Sequence, residues 1–412
     1  MGAINMCGRI AQNYALLDFQ EGVRELANFT LALSLFFPIQ GLTNFLPQMS
    51  AVMIDGHRSF RSVFVFTICV VICMMGMLSF LAFSEAGHAF INSFYQVGEE
   101  NLKSIRSYFV LLLPSPPFMA FSQLFMGVVI KAKSTLTLTL NRALSLGSMV
   151  LVLAVGLQMG SEARYVLSLS VLIPNIVSMI LMLISYLWKG RVITKEPGES
   201  KKQLELFQFF WPMALTTFMF TFSRPIIFNI VGMSPELSTE EKELTIAALS
   251  LAFAFGMIFH VAINQFRNVS VAFANDSNKQ VIRFMIQSTF VVTALMLIVQ
   301  VTPLAELFLR RLQGAEGRLL EMARNALWPL ILVIPIVAWR NYYHGIVMNK
   351  KKTTIMGLAS VARNVMIFLT GYGLLKMGML DAVSACGLIL VGFATEGALA
   401  TIVVKRWKLQ PN

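Results

Sequence analysis

The chain has 412 residues, of which 56% are hydrophobic and only 13% charged, with a formal net charge of +12. A soluble domain carries about 25% charged residues, so this composition excludes that class. A mean hydropathy of +0.69 points the same way.

Apolar runs of about 20 residues recur along the whole length, each enough for a helical membrane span. A shorter stretch near residues 2–17 comes first. Eleven full spans follow, near 26–53, 62–83, 106–130, 135–157, 164–188, 206–232, 245–266, 281–303, 325–348, 354–376 and 382–404. Alternating ten-residue barrel strands are absent, so the expected class is an all-α polytopic membrane protein. The amino terminus shows no charged region and small-residue cleavage site of a removable signal peptide.

The loops sort by charge. Arg58, Arg61, Lys131, Lys133, Lys189, Arg191, Lys195, Lys201, Lys202, Lys279, Arg283, Lys350 to Lys352, Lys405, Arg406 and Lys408 mark one side. Asp18, Glu21, Glu25, Glu85, Glu99, Glu100, Glu162, Glu236, Glu240, Glu241, Glu243 and Asp381 mark the other. Basic loops stay in the cytoplasm, which places both termini there. This sorting accounts for most of the positive charge, so the expected partner is the bilayer and not nucleic acid. Cys7, Cys69, Cys73 and Cys386 fall in apolar spans without neighbouring metal ligands, and read as packing residues with no metal site.

The two halves match at a constant offset of 218 positions. Arg106 lands on Arg324, Pro117 on Pro335, Gly127 on Gly345, Lys133 on Lys351, Thr135 on Thr353 and Gly160 on Gly378. The chain therefore divides into an amino-terminal lobe (1–188), a polar cytoplasmic linker (189–204) and a carboxy-terminal lobe (205–412). Twelve helices in two pseudo-symmetric six-helix lobes are expected, running parallel, with a substrate path between them. The seventh span begins near Glu205, and its counterpart would begin before residue 1. The first helix is thus expected to be truncated, from a mis-called start or a shortened gene product; a naturally short helix is the alternative.

Nucleotide-binding, dinucleotide and zinc-protease signatures are missing, so no enzyme activity, catalytic residue or cofactor is expected. What stands out is Arg9, Arg142, Arg224, Arg267, Arg340, Arg363 and Glu396 inside or against apolar spans. A cation at bilayer depth costs roughly 2.5–3.5 kcal/mol and usually faces a cavity. Arg224 lies in Phe222-Ser223-Arg224-Pro225, where proline removes a backbone donor and loosens the helix. Arg9 falls near the equivalent place in the first lobe, so the two could face each other across the lobes. Arg340, Arg363 and Glu396 lie at similar depth, and the carboxylate is expected to neutralise one arginine and leave the other for cargo. Arg142 has no intramembrane acid in its own lobe. His260 and His344 read as hydrogen-bonded core residues or as proton-coupling groups. Arg267, at the mouth of its span, reads as a snorkelling side chain.

With these residues laid out, the chain resembles the progressive ankylosis (ANK) family of the multidrug/oligosaccharidyl-lipid/polysaccharide (MOP) exporter superfamily. The resemblance rests on Phe210 to Leu215, Ser223 to Ile226, Gly256 through Arg267 to Ala272-Phe273, Arg340, Gly345, Lys351 to Thr353, Arg363, and Gly392-Phe393 with Glu396. Leu26-Ala27 and Leu31 to Leu35 extend it into the first lobe, more weakly than after residue 205. It implies a MATE-like two-lobe fold and export of multiply charged anions such as ATP, citrate and pyrophosphate. The expected function is a secondary transporter of the plasma membrane, the bacterial inner membrane, exporting such an anion by alternating access as a monomer. Arg9, Arg142, Arg224, Arg340 and Arg363 are the expected cargo contacts, with Glu396, His260 and His344 as coupling or structural partners. The alternatives are a flippase for lipid-linked oligosaccharide, a cation-coupled multidrug exporter, or a membrane scaffold that transports nothing.

Overall fold

A computed structural model describes residues 2–17, 19, 21–132, 134–190, 197–264, 266–267, 270, 278–349 and 354–407. Asp18, Lys133, Arg191, Lys195, Ala272, Phe273, Lys350, Lys351, Lys352, Thr353 and Lys408, all used above, lie outside the described residues, as do the side chains of Cys7, Lys189, Pro212 and Met213. The described residues are almost wholly helical and contain no strand.

The first lobe begins with α1 (Gly2–Leu17), α2 (Gly22–Gly41), α3 (Leu46–Met53) and α4 (His57–Phe83). It continues through α5 (Glu85–Tyr95), α6 (Glu99–Leu112), α7 (Ser115–Lys131), α8 (Thr135–Gln158) and α9 (Ala163–Ser185). The second lobe opens with α10 (Gln203–Thr221), α11 (Ser223–Gly232), α12 (Thr239–Asn264) and α13 (Asn278–Val301). Then come α14 (Leu304–Gln313), α15 (Gly317–Asn325), α16 (Leu327–Asn349), α17 (Thr354–Lys376) and α18 (Ala382–Arg406). Ten helical stretches among the described residues are long and apolar enough to span a membrane, and α6 with α7 make an eleventh, bent by 45°. All eleven expected spans are therefore present. Pro114, Pro116 and Pro117 cause that bend, because three missing donors cannot sustain the helix ladder.

The core is apolar, but many large apolar side chains also lie on the outside and a set of polar ones within. Ile72, Phe83, Leu151 and Phe290 are exposed on the outside of the bundle, whereas Asn13, Ser50, Thr67 and Asn341 are buried inside it. Cys69 and Cys73 sit on the exposed face of α4 and not in the packed core; Cys386 is buried as expected. The sequence repeat appears in the helix starts: Glu85 and Leu304, Glu99 and Gly317, Thr135 and Thr354, and Ala163 and Ala382 each open equivalent helices 218 or 219 residues apart.

The paired glycines of the repeat explain themselves in contacts. A Cβ on Gly127 would strike the Pro47 carbonyl and lie 2.5 Å from Ser50 Cβ, so α7 meets α3 backbone to backbone. Gly345 makes the matching approach in the second lobe, against Ser270 and the Arg267 carbonyl. Gly127→Val is expected to cost about 1–3 kcal/mol through overpacking. Thermal unfolding of the detergent-purified protein measures this, and an unchanged midpoint would contradict the contact.

The two central helices, α2 and α12, are buried along most of their length and face each other across the lobes. At the acid-rich end the lobes are tied together by polar contacts. Asn101 donates to Glu243 at 2.5 Å, Thr30 meets Ser250 at 3.0 Å, and Asn13 donates to Gln313 at 2.9 Å. Arg24 bridges Glu21 and Glu100 beside them. Further along the bundle these ties give way to a cavity.

Candidate functional site

The site starts from a helix that breaks. The Phe222 N–H closes the last turn of α10 on Phe218, and Pro225 cannot donate to the turn before it. The ladder fails at Phe222-Ser223, and the Met219 carbonyl is free to accept from outside. Arg363 Nη2 and Asn364 Nδ2 of α17 supply the donors, at 2.7 and 2.8 Å. Ser223 completes the seam by donating to Asn364 Oδ1 at 2.7 Å and accepting from Arg363 Nε at 3.1 Å. One residue on, the Arg224 guanidinium lies 5.1 Å from the Phe253 ring centroid and turns into the space between the lobes.

That space is a cavity of about 500 Å³. It falls within the range of small-molecule sites, about 300–1,000 Å³. Arg9, Arg142, Arg224 and Arg363 are among its lining residues, together with His260, and no carboxylate is, among the described residues. The first-lobe wall is rich in amides and hydroxyls, including Gln12, Ser145, Asn175 and Ser178. Gln12 donates to Ser170 at 2.8 Å, and Asn141 donates to Ser178 at 3.0 Å, which fixes this wall. Aromatic rings form much of the second-lobe wall, Phe220, Phe228, Phe253 and Phe393 among them.

The arginines divide into two groups. Arg9, Arg142 and Arg224 are partly exposed to the cavity and make no ion pair among the described residues. Arg9 has a long 3.4 Å contact to Gln12 and stacks 5.3 Å from the Phe29 ring, within Coulombic reach of Arg224. Arg9 of the first lobe and Arg224 of the second line the same cavity.

Arg340 and Arg363 are buried on Glu396 instead, at 5%, 1% and 2% exposure. Arg363 Nη1 donates to Glu396 Oε2 at 2.8 Å, and Arg340 Nη1 reaches the same oxygen at 3.3 Å. Ser360 donates to Oε1 at 2.9 Å, and the His344 Nε2 atom stands 3.7 Å away from it without a hydrogen bond. Phe220 and Phe393 lie against both guanidiniums. The expected division, one arginine paired and one free, is therefore not found: the carboxylate holds both. It can do so because its two oxygens offer about four lone-pair sites. Arg340, His344 and Glu396 are absent from the cavity lining, whereas Arg363 belongs to both environments.

His260 bonds the Leu330 carbonyl at 3.1 Å, as a core histidine would. Arg267 keeps a buried Nε without a hydrogen bond, which snorkelling does not explain. The polar first-lobe wall escaped the sequence reading. Its signal was there, in Ser170, Pro174 and Ser178 at helical spacing along an otherwise apolar span.

The family model described as Progressive ankylosis protein (ANKH) matches residues 3–244, more than half of the chain. The chain belongs to the progressive ankylosis family. The match covers the first lobe and the start of the second, so the family likeness is anchored earlier in the chain than residues 205 onward had indicated. Solved structures carry the same fold as this family member. An inward-facing multidrug resistance MATE family transporter of the MOP superfamily aligns at a TM-score of 0.73 with 13% identity, covering 99% of this chain and 94% of its own. The lipid II flippase MurJ, in an inward closed conformation, aligns at 0.68 with 15% identity, covering 98% and 86%. A MOP superfamily transporter from Pyrococcus furiosus, described as having a binding pocket of reverse polarity, aligns at 0.60 with 15% identity, covering 99% and 95%. The progressive ankylosis chain thus shares the fold of these structures, with up to eleven candidate membrane spans among the described residues.

Proposed function

We propose that this chain is a secondary transporter that exports a small, multiply charged anion of the pyrophosphate, citrate or nucleotide class by alternating access. One observation carries the proposal: among the described residues, the interlobe cavity is lined by four arginines and no carboxylate. Arginine forks match carboxylate and phosphate oxygens through paired, charge-assisted hydrogen bonds. In a site shielded from bulk water those contacts are also screened less. Arg9, Arg142 and Arg224 are the assigned cargo contacts, because their guanidiniums lack a resident counter-charge among the described residues. Arg340 is assigned to holding Glu396.

Export of cationic drugs would want an open acidic group, and Glu396 is sealed under two arginines. The polar ties at the acid-rich end support a state closed toward that side. With basic loops and both termini in the cytoplasm, this conformation would receive cargo from inside a bacterial inner membrane, as a monomer.

Everted vesicles test the function directly. Labelled pyrophosphate, citrate and ATP are offered to vesicles with and without the protein, and at least one is expected to accumulate faster with it. Equal uptake of all three would remove the assignment, and uptake of lipid-linked sugar alone would favour a flippase. Arg142→Ala is expected to lower uptake of the accepted anion by about tenfold, the worth of one charge-assisted hydrogen bond.

A further inference from the structure

Two arginines on one buried carboxylate are an expensive arrangement, since each ion pays several kcal/mol of desolvation. A purely structural pair needs one arginine. The second one has a distinctive position: Arg363 is bonded to Glu396 at 2.8 Å, belongs to the cavity lining, and also holds the Met219 carbonyl at the helix break before Arg224. Arg340 has no cavity contact and a second anchor in Asn341, at 2.8 Å.

We propose that Glu396 is an internal counter-anion, which occupies the Arg363 fork while the cavity is empty and yields that fork to cargo. This rests on the cavity being an anion site. The other groups around Glu396 are arranged for such an exchange. Arg340 and Ser360 remain as its partners after Arg363 turns away, so the carboxylate is never left bare. His344 offers a further donor position, 3.7 Å from Oε1 and unused in this state. The consequence reaches beyond charge neutralisation. Arg363 and Asn364 are what join α17 to the broken end of α10, so drawing Arg363 toward cargo loosens the seam that seats Arg224. Cargo occupancy would thereby alter the contact between α10–α11 and α17–α18. Arg363 is a positioning residue in the empty state and a cargo contact in the loaded one.

The test is pyrophosphate binding to the purified full chain, by titration calorimetry in detergent. Glu396→Gln removes the competing charge and is expected to tighten pyrophosphate binding about tenfold, one charge-assisted hydrogen bond regained. Glu396→Asp, which keeps the charge but withdraws it from the fork, should shift the Kd in the same direction by less; it serves if the glutamine variant does not fold. In an Arg363→Lys background the gain should vanish, because the fork that Glu396 competes for is gone. Binding to the native chain with an unchanged or weaker Kd in both Glu396 variants would overturn the exchange alone. A gain that persists with Arg363→Lys would also overturn it. Absence of binding by every variant would overturn the anion site and the exchange together.

Discussion

Arg224→Ala is expected to leave the protein folded and to cut uptake of the transported anion by about a hundredfold in kcat/KM. The two halves of this expectation have separate causes. Arg224 forms no ion pair among the described residues, so its removal strands no buried counter-charge. Burying an arginine at bilayer depth costs roughly 2.5–3.5 kcal/mol, so the alanine variant should be as stable as the native chain or more so. What is lost is a fork that bonds the cargo twice, worth about 3 kcal/mol, which corresponds to the hundredfold. Arg224→Lys keeps the charge and loses the fork, and should fall between. Uptake in everted vesicles, beside a thermal unfolding curve of the same preparation, measures both halves. Native uptake by the alanine variant would remove Arg224 from the site.

The opposite profile is expected at Glu396. Glu396→Gln takes away the carboxylate shared by Arg340 and Arg363, two guanidiniums that are 5% and 1% exposed. Breaking a buried ion pair from one side costs about 3–5 kcal/mol, because the orphaned charge stays desolvated. Thermal unfolding of the purified protein should show that loss, larger than for Arg9, Arg142 or Arg224. Added pyrophosphate should restore the glutamine variant more than it stabilises the native chain, since a ligand bound only to the folded state stabilises more the tighter it binds. An unchanged unfolding midpoint would mean that the Glu396 cluster contributes little to holding α16, α17 and α18 together.

Stability and binding thus separate along the two groups of arginines, and that division was only half legible in the residue order. Arg340 and Arg363 looked alike in the sequence: both lie on apolar helices at similar depth, each within reach of one acid. Their difference is a matter of helix rotation. Arg363 faces the α10–α11 seam and the cavity, whereas Arg340 faces Asn341 and the Phe393 ring. Neither orientation is encoded within a single helix.

The spans themselves were determined by the sequence alone, and all eleven expected ones are present among the described residues. Each twenty-residue apolar run settles its own partition into lipid, and backbone satisfaction then demands a helix, so neighbours need not be consulted. The repeat of 218 residues and the proline beside Arg224 were likewise local facts. Only the tertiary structure decided which charges meet. Ser223 and Asn364 are 141 residues apart, Arg363 and Met219 144, and Arg340 and Glu396 56. An ionic contact in a dry interior depends on distances of a few ångströms, and those are set by how whole helices pack, not by what any one of them contains.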